Sequence, residues 1–167
     1  MKQYGTMLLL ASLLTVFVPQ HCLPQESPEQ SEWAIQLAQE LIDFTQKLRT
    51  VGQDILAVMG SSSDPEALLL YVALGGITVA ADQAESTSGF VMLVPWIKEY
   101  RLNAYHVFLK KRFRESTKRT NGALSNLEDI QPKLRNPIAT QSVAKAIGLI
   151  HDYQKLLKTA DTTLQKP

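Results

Sequence analysis

The sequence predicts an all-α fold: a bundle of four main helices, of up-down type, preceded by a cleaved signal peptide. Three observations carry this prediction. A capping residue stands before proline at three separate points, Ser27-Pro28, Asp64-Pro65 and Asn136-Pro137. Proline's fixed φ and missing N–H suit the first turn of a helix. Apolar residues recur at three- and four-residue steps after each of these points. The one short run that resembles a strand, Phe90 to Val94, has no convincing second strand to pair with.

The first 22 residues stand apart. Lys2 supplies a basic start, Met7 to Val18 an apolar stretch of twelve residues, and Pro19 a break before Cys22. This is the pattern of a secretory signal peptide, and twelve residues are too few for a bilayer span, which needs about 20. Gln20 suits the cleavage site poorly, so an uncleaved signal anchor is the alternative. Cleavage near Cys22 leaves a chain of 145 residues with no cysteine. A domain of that size buries roughly two thirds of its unfolded surface and can be stabilised by a core alone. A single secreted domain, residues 23–167, without disulfides is expected. No asparagine stands in a glycosylation motif.

The first helix is expected over about 28–59. Ser27-Pro28-Glu29-Gln30 has the form of a capping box. Trp33, Leu37, Leu41, Phe44, Leu48, Val51 and Ile55 make one long stripe, which Ile35, Ala38 and Ile42 widen. Gly60 and three serines end it.

The second helix is expected over about 65–85. Ala67 to Ala81 holds no charged residue, and leucine, valine and tyrosine cover every side. Such a helix belongs at the centre of a core or in lipid. Fifteen residues are short for a span, which favours the core. Gly75-Gly76 weakens it by about 1 kcal/mol per glycine relative to alanine, and reads as a point of close packing. The polar run from Asp82 to Gly89 reads as a break.

The third helix is expected over about 95–130. At 100° per residue, Trp96, Ile97, Tyr100, Ala104, Val107 and Phe108 fall within an arc about 120° wide. Leu102, Leu109 and Phe113 form a second stripe on roughly the opposite side. That stripe continues in phase through Thr120, Leu124 and Leu127, favouring one helix through Gly122 over a break at Asn121-Gly122. A helix apolar on two sides packs between neighbours or leaves a patch for a partner. The fourth helix is expected over about 137–164, with Val143, Ala146, Ile147, Leu149, Ile150, Tyr153, Leu157, Ala160 and Leu164 on a broad apolar face.

Charge is unevenly placed. From Leu23 to Glu66 there are eight acidic residues against two basic ones, and from Lys98 to Arg119 eight basic against two acidic. The simplest expectation is that the first and third helices lie side by side and neutralise each other. The alternative is that Lys110, Lys111 and Arg114 face phosphate, a heparin-like polymer or anionic lipid. Without Lys2 the chain is formally neutral, which argues against nucleic acid.

Enzyme signatures are lacking. Only His106 and His151 follow Cys22, in different helices and outside any HExxH motif. The sequence holds no Gly-rich phosphate loop and no GxSxG. A non-enzyme with no metal and no cofactor is expected. The functional expectation is a secreted protein that binds an apolar surface, in a lipid-like ligand or a partner protein, through its second and third helices. Trp96, Tyr100, Val107 and Phe108 would supply apolar contacts, and Lys110, Lys111 and Arg114 would pair with an anionic group. The rival expectation is a signalling ligand, similar to helical cytokines in architecture, recognised by a cell-surface receptor.

Overall fold

In a computed structural model, residues 28–164 of the 167 are described. The expected signal peptide and the Ser27 cap lie outside them. Four helices account for most of this span: α1 (Pro28–Met59), α2 (Asp64–Val91), α3 (Glu99–Ile130) and α4 (Pro137–Thr163). Single 3-10 turns, Val94–Trp96 and Gln131–Lys133, stand in the last two connections. No strand occurs among the described residues. The short connections force neighbours to run antiparallel. Contacts agree: Thr45 meets Ala81 while Gly52 meets Leu74, and Gly76 meets Ala123 while Arg112 meets Ser86. Each helix packs on the next and α4 closes against α1, so α1 and α3 lie on a diagonal.

The core has two apolar storeys. Leu48, Val51 and Ile55 of α1 meet Leu70, Ile77, Leu127, Val143 and Ile150 in one. Leu37 and Leu41 meet Val91, Val94, Leu109, Phe113 and Leu157 in the other. The α1 stripe and the Leu109–Phe113 stripe therefore face inward, while Ile35, expected to widen the α1 stripe, points to solvent.

At the edge of the second storey that faces the first lies a layer of hydroxyls, Thr45, Thr87, Ser116, Thr120 and Tyr153, all buried. Tyr153 is its centre. Its hydroxyl lies 2.6 Å from Ser116 Oγ and 3.3 Å from Thr87 Oγ1. Proton counting fixes the directions, because each hydroxyl has one proton to give. Thr87 donates to the Gln83 carbonyl at 2.6 Å. Tyr153 therefore donates to Thr87, and Ser116 donates to Tyr153. Burial raises the Tyr153 hydroxyl above its ordinary pKa of 10.0, and the bond it accepts from Ser116 and the charge of Arg112 oppose that shift.

This layer explains the first correction. The run from Asp82 to Gly89, expected to be a break, continues α2 to Val91. Thr87 and Ser88 turn inward, and their hydroxyls bond the Gln83 and Glu85 carbonyls of the same helix. Serine and threonine disfavour a helix when their side chains compete for its backbone from outside it. Here they are satisfied within it.

The start of α3 is the second correction. Pro95 is the middle residue of a 3-10 turn, Val94–Trp96, Ile97 is extended, and the helix proper begins at Glu99. Trp96 and Ile97 thus lie off the helix. Gly122 sits inside α3, as the continuous stripe predicted. Of the glycine pair, only Gly76 is a packing point: a Cβ there would lie 3.5 Å from the Ala123 carbonyl, whereas Gly75 faces open space.

The two helices expected to neutralise each other, α1 and α3, are diagonal rather than adjacent, and among the described residues the ion pairs of each run elsewhere. Arg49 of α1 pairs with Glu85 of α2. On α3, Lys111 and Arg112 pair with Glu115 of their own helix, and Arg114 reaches Asp161 of α4 at 3.6 Å.

Two caps hold the last connection. Asn136 Oδ1 accepts from the N–H groups of Ile138 and Ala139 at the start of α4. Glu66 Oε1 accepts from the backbone N–H of both Arg135 and Asn136, each at 2.8 Å, and these bonds lower its pKa from 4.5. The second proline site differs slightly from expectation: α2 begins at Asp64, with Ser63 as its cap and no side-chain bond.

Tyr153→Phe should lower stability by about 1–2 kcal/mol in urea unfolding, because Ser116 keeps a buried proton with no acceptor. A second variant reads the Glu66 clasp. A carboxylate held below its ordinary pKa adds stability above that value and loses it as pH falls through the lowered one. Glu66→Ala should therefore lower Tm at neutral pH, and the gap to the native protein should narrow steadily below pH 4.5.

Candidate functional site

Exposed large apolar side chains stand singly on α1 (Ile35, Leu56) and α4 (Ile138) and gather on the outer faces of α2 and α3. A four-helix bundle gives each helix two neighbours, enough to bury about half its circumference. On α2 the inner half is Leu70, Ala73, Ile77, Ala80, Ala81 and Ala84. The outer half is also apolar, and Leu68, Tyr71, Val72 and Val79 stand exposed along three turns. The expectation of a wholly buried second helix is thus half right. Residues Pro65–Trp96 are also long and apolar enough to cross a membrane by length and composition, contrary to the fifteen residues expected, and 39% of the most apolar window is buried in the bundle.

A second apolar area lies at the turn between α2 and α3. Met92 and Leu93 are about half exposed, and Trp96 is 70% exposed. The exposed face of α3 continues it with Tyr100 at 73% and Val107 at 67%. Of the two stripes on this helix, the one containing Leu109 and Phe113 faces the core and the one containing Tyr100 and Val107 faces solvent.

Phe108 differs from its neighbours on the stripe. It is 38% exposed, stands edge-on to Phe90 at 5.3 Å between centroids and is tilted against Tyr105 at 5.5 Å. Tyr105 donates its hydroxyl to the Phe90 carbonyl at 2.7 Å, and burial raises its pKa. Arg112 lies over Phe90 at 4.7 Å. Phe108 is therefore the edge of a built aromatic cluster that fastens α3 to α2, with only its outer rim free.

The cations separate into two groups. Arg101 lies over the Tyr100 ring at 5.3 Å, within the exposed aromatic area. Lys111 is exposed and follows Val107 by one helical turn, while Lys110 is half-buried. Arg114 is turned towards α4, where it pairs with Asp161. The structure thus brings Trp96, Tyr100, Val107, the rim of Phe108 and Lys111 onto one outward surface. It draws Arg114 to the α3–α4 side. Arg101 was missed in the sequence because it lies outside the basic run, although its position one residue after Tyr100 was the available signal.

Among the described residues, no three histidine, cysteine, aspartate or glutamate side chains stand close enough together to hold a metal ion. Compared with protein-family profiles, curated proteins and solved structures, the chain has no significant match. The class that the fold and surface define is a helical bundle with uncovered apolar faces on two adjacent helices.

Two substitutions on adjacent residues separate surface from packing. Val107→Asp should change stability by no more than about 0.5 kcal/mol. Phe108→Asp places a charge against Phe90 and Tyr105 and should cost about 1–3 kcal/mol in thermal or urea unfolding.

Proposed function

We propose that this is a secreted, non-enzymatic protein that binds lipid surfaces carrying anionic headgroups, through the outer faces of α2 and α3. The observation that carries the reading is the exposure of large apolar side chains in two areas, one on α2 and one running from the α2–α3 turn along α3. Leu68, Tyr71, Val72 and Val79 stand on one, and Trp96, Tyr100 and Val107 precede and line the other. Patches of this kind on a soluble chain mark partner surfaces. The composition favours lipid as the partner. Tryptophan and tyrosine have an apolar body and a polar tip, which suits the boundary between headgroups and acyl chains. Arg101 over the Tyr100 ring and exposed Lys111 one turn after Val107 supply cations beside the apolar contacts, to pair with lipid phosphates. Secretion rests on the signal-peptide reading of residues 1–22.

Binding follows from two terms. Burying the exposed rings in the headgroup boundary contributes roughly 25 cal/mol per Å² of apolar surface covered. Each cation near an anionic membrane adds about 1 kcal/mol, which salt screens. The first term predicts residual binding at high salt and the second predicts that most of it requires anionic lipid.

The chain from Leu23 should bind phosphatidylserine-containing vesicles more tightly than phosphatidylcholine vesicles, with a blue shift of tryptophan emission. Raising the salt should weaken that binding. Tyr100→Asp/Val107→Asp should reduce it at least about tenfold, since two charges replace the apolar contacts, without moving Tm. No binding by the native chain, together with a cooperative melt, would reject the lipid reading and favour the signalling-ligand alternative, with a protein receptor for the same face.

A further inference from the structure

The side of the bundle formed by α3 and α4 carries a groove of about 640 Å³. It is separate from the apolar faces of α2 and α3. Its floor is Phe113 and Leu157, both buried. Its α3 wall presents Arg114 and Lys118, and its α4 wall presents Lys155 and Lys158. The spacing is that of one helical face on each side: positions 114 and 118, and positions 155 and 158, are one turn apart. Antiparallel packing sets these two pairs opposite each other.

Acidic groups occupy the ends of the groove and leave its middle cationic. Asp161 pairs with Arg114 at one end, and Glu128 lies 3.6 Å from His151 at the other. Among the described residues, no ion pair holds Lys118, Lys155 or Lys158. Three lysines that line one groove without an ion-pair partner raise the local potential and attract an anion. Between them stand neutral hydrogen-bonding groups. Gln154 donates to Thr120 Oγ1 at 3.1 Å and to Asn121 Oδ1 at 2.9 Å, which leaves the Asn121 amide N–H groups for another acceptor.

We propose that this groove binds a linear sulfated polysaccharide. A chain lying along the groove meets cations on both walls, as a flat membrane cannot, and its hydroxyls meet the amide of Asn121. Large exposed apolar side chains, which a membrane would need, are absent from the groove. So is the exposed aromatic platform on which nucleic-acid bases stack, since Phe113 is only 1% exposed. Sulfates neutralised by the lysines release counterions, so affinity falls as salt rises.

The test is calorimetric titration of the full secreted chain with a heparin-derived decasaccharide and with its desulfated form. Binding of the sulfated form, weakening at least about tenfold between 0.05 and 0.2 M salt, is expected. Lys118→Ala/Lys155→Ala/Lys158→Ala should reduce affinity at least about tenfold, because it removes the lysine contacts that drive counterion release. Lys110→Ala/Lys111→Ala should keep it. The triple variant should melt like the native chain and still bind anionic vesicles, so failure here and failure of the lipid reading are distinguishable. Three results overturn the proposal: no binding by the native chain at low salt, equal loss in both variants, or equal affinity for a thymidine oligonucleotide of matched charge.

Discussion

The hydroxyl of Tyr153 is where the four helices of this bundle meet. It leaves α4, bonds to Ser116 of α3 and Thr87 of α2, and its ring stands edge-on to Phe44 of α1 at 6.2 Å between centroids. Apolar packing is tolerant of sliding, because one leucine replaces another at modest cost. A buried hydroxyl layer is not. Moving α4 by one turn would part Tyr153 from Thr87 and Ser116 and leave buried hydroxyls without partners, at a cost of a few kcal/mol. The layer therefore sets the height of every helix relative to the others. Buried polar groups that select one register are known from coiled coils, where the same exchange of stability for specificity operates.

That register decides what faces outward. With Leu109 and Phe113 directed to the core, the arc of Tyr100 and Val107 has no partner within the chain. With Leu70 and Ile77 inward, Leu68 and Tyr71 are left outside. The uncovered surface is a consequence of two helices that are apolar on more sides than a square bundle can bury. The close approach at Gly76 and Ala123 adds to this, since it brings α2 and α3 together at one end while the Phe90–Tyr105–Phe108 cluster joins them at the other.

Most of the architecture was legible in the sequence because it rests on local rules. The bounds of α1, the end of α3 near Ile130 and the start of α4 at Pro137 follow from prolines, caps and periodicity. What was not legible depends on distant partners. Thr87 and Ser88 look like loop residues until Tyr153, 66 positions from Thr87, is placed beside them. The choice between the two stripes of α3 was open because both are apolar, and only packing against α2 and α4 decides it. The charge balance misled for the same reason: it describes segments, whereas neutralisation depends on which helices adjoin. On the candidate surface, Trp96, Tyr100 and Val107 were found from periodicity. The separate destinations of Lys111 and Arg114 could not be, since they lie on either side of a boundary that exists only once α4 is in place.

The clasp at Glu66 has a consequence for how this chain can be altered. One carboxylate joins the first turn of α2 to the residues that open α4, and Asn136 serves both as its donor and as the cap of that helix. Lengthening the connection at Arg135 would pull apart two helix starts at once. The connection at Gly60 to Ser63 is different: a side chain added at Gly60 would meet nothing, and Ser61 and Ser62 bond only to the end of α1. Of the two connections, the first is the place where a label, a tag or new chain termini would fit, and the last is where the chain must keep its length.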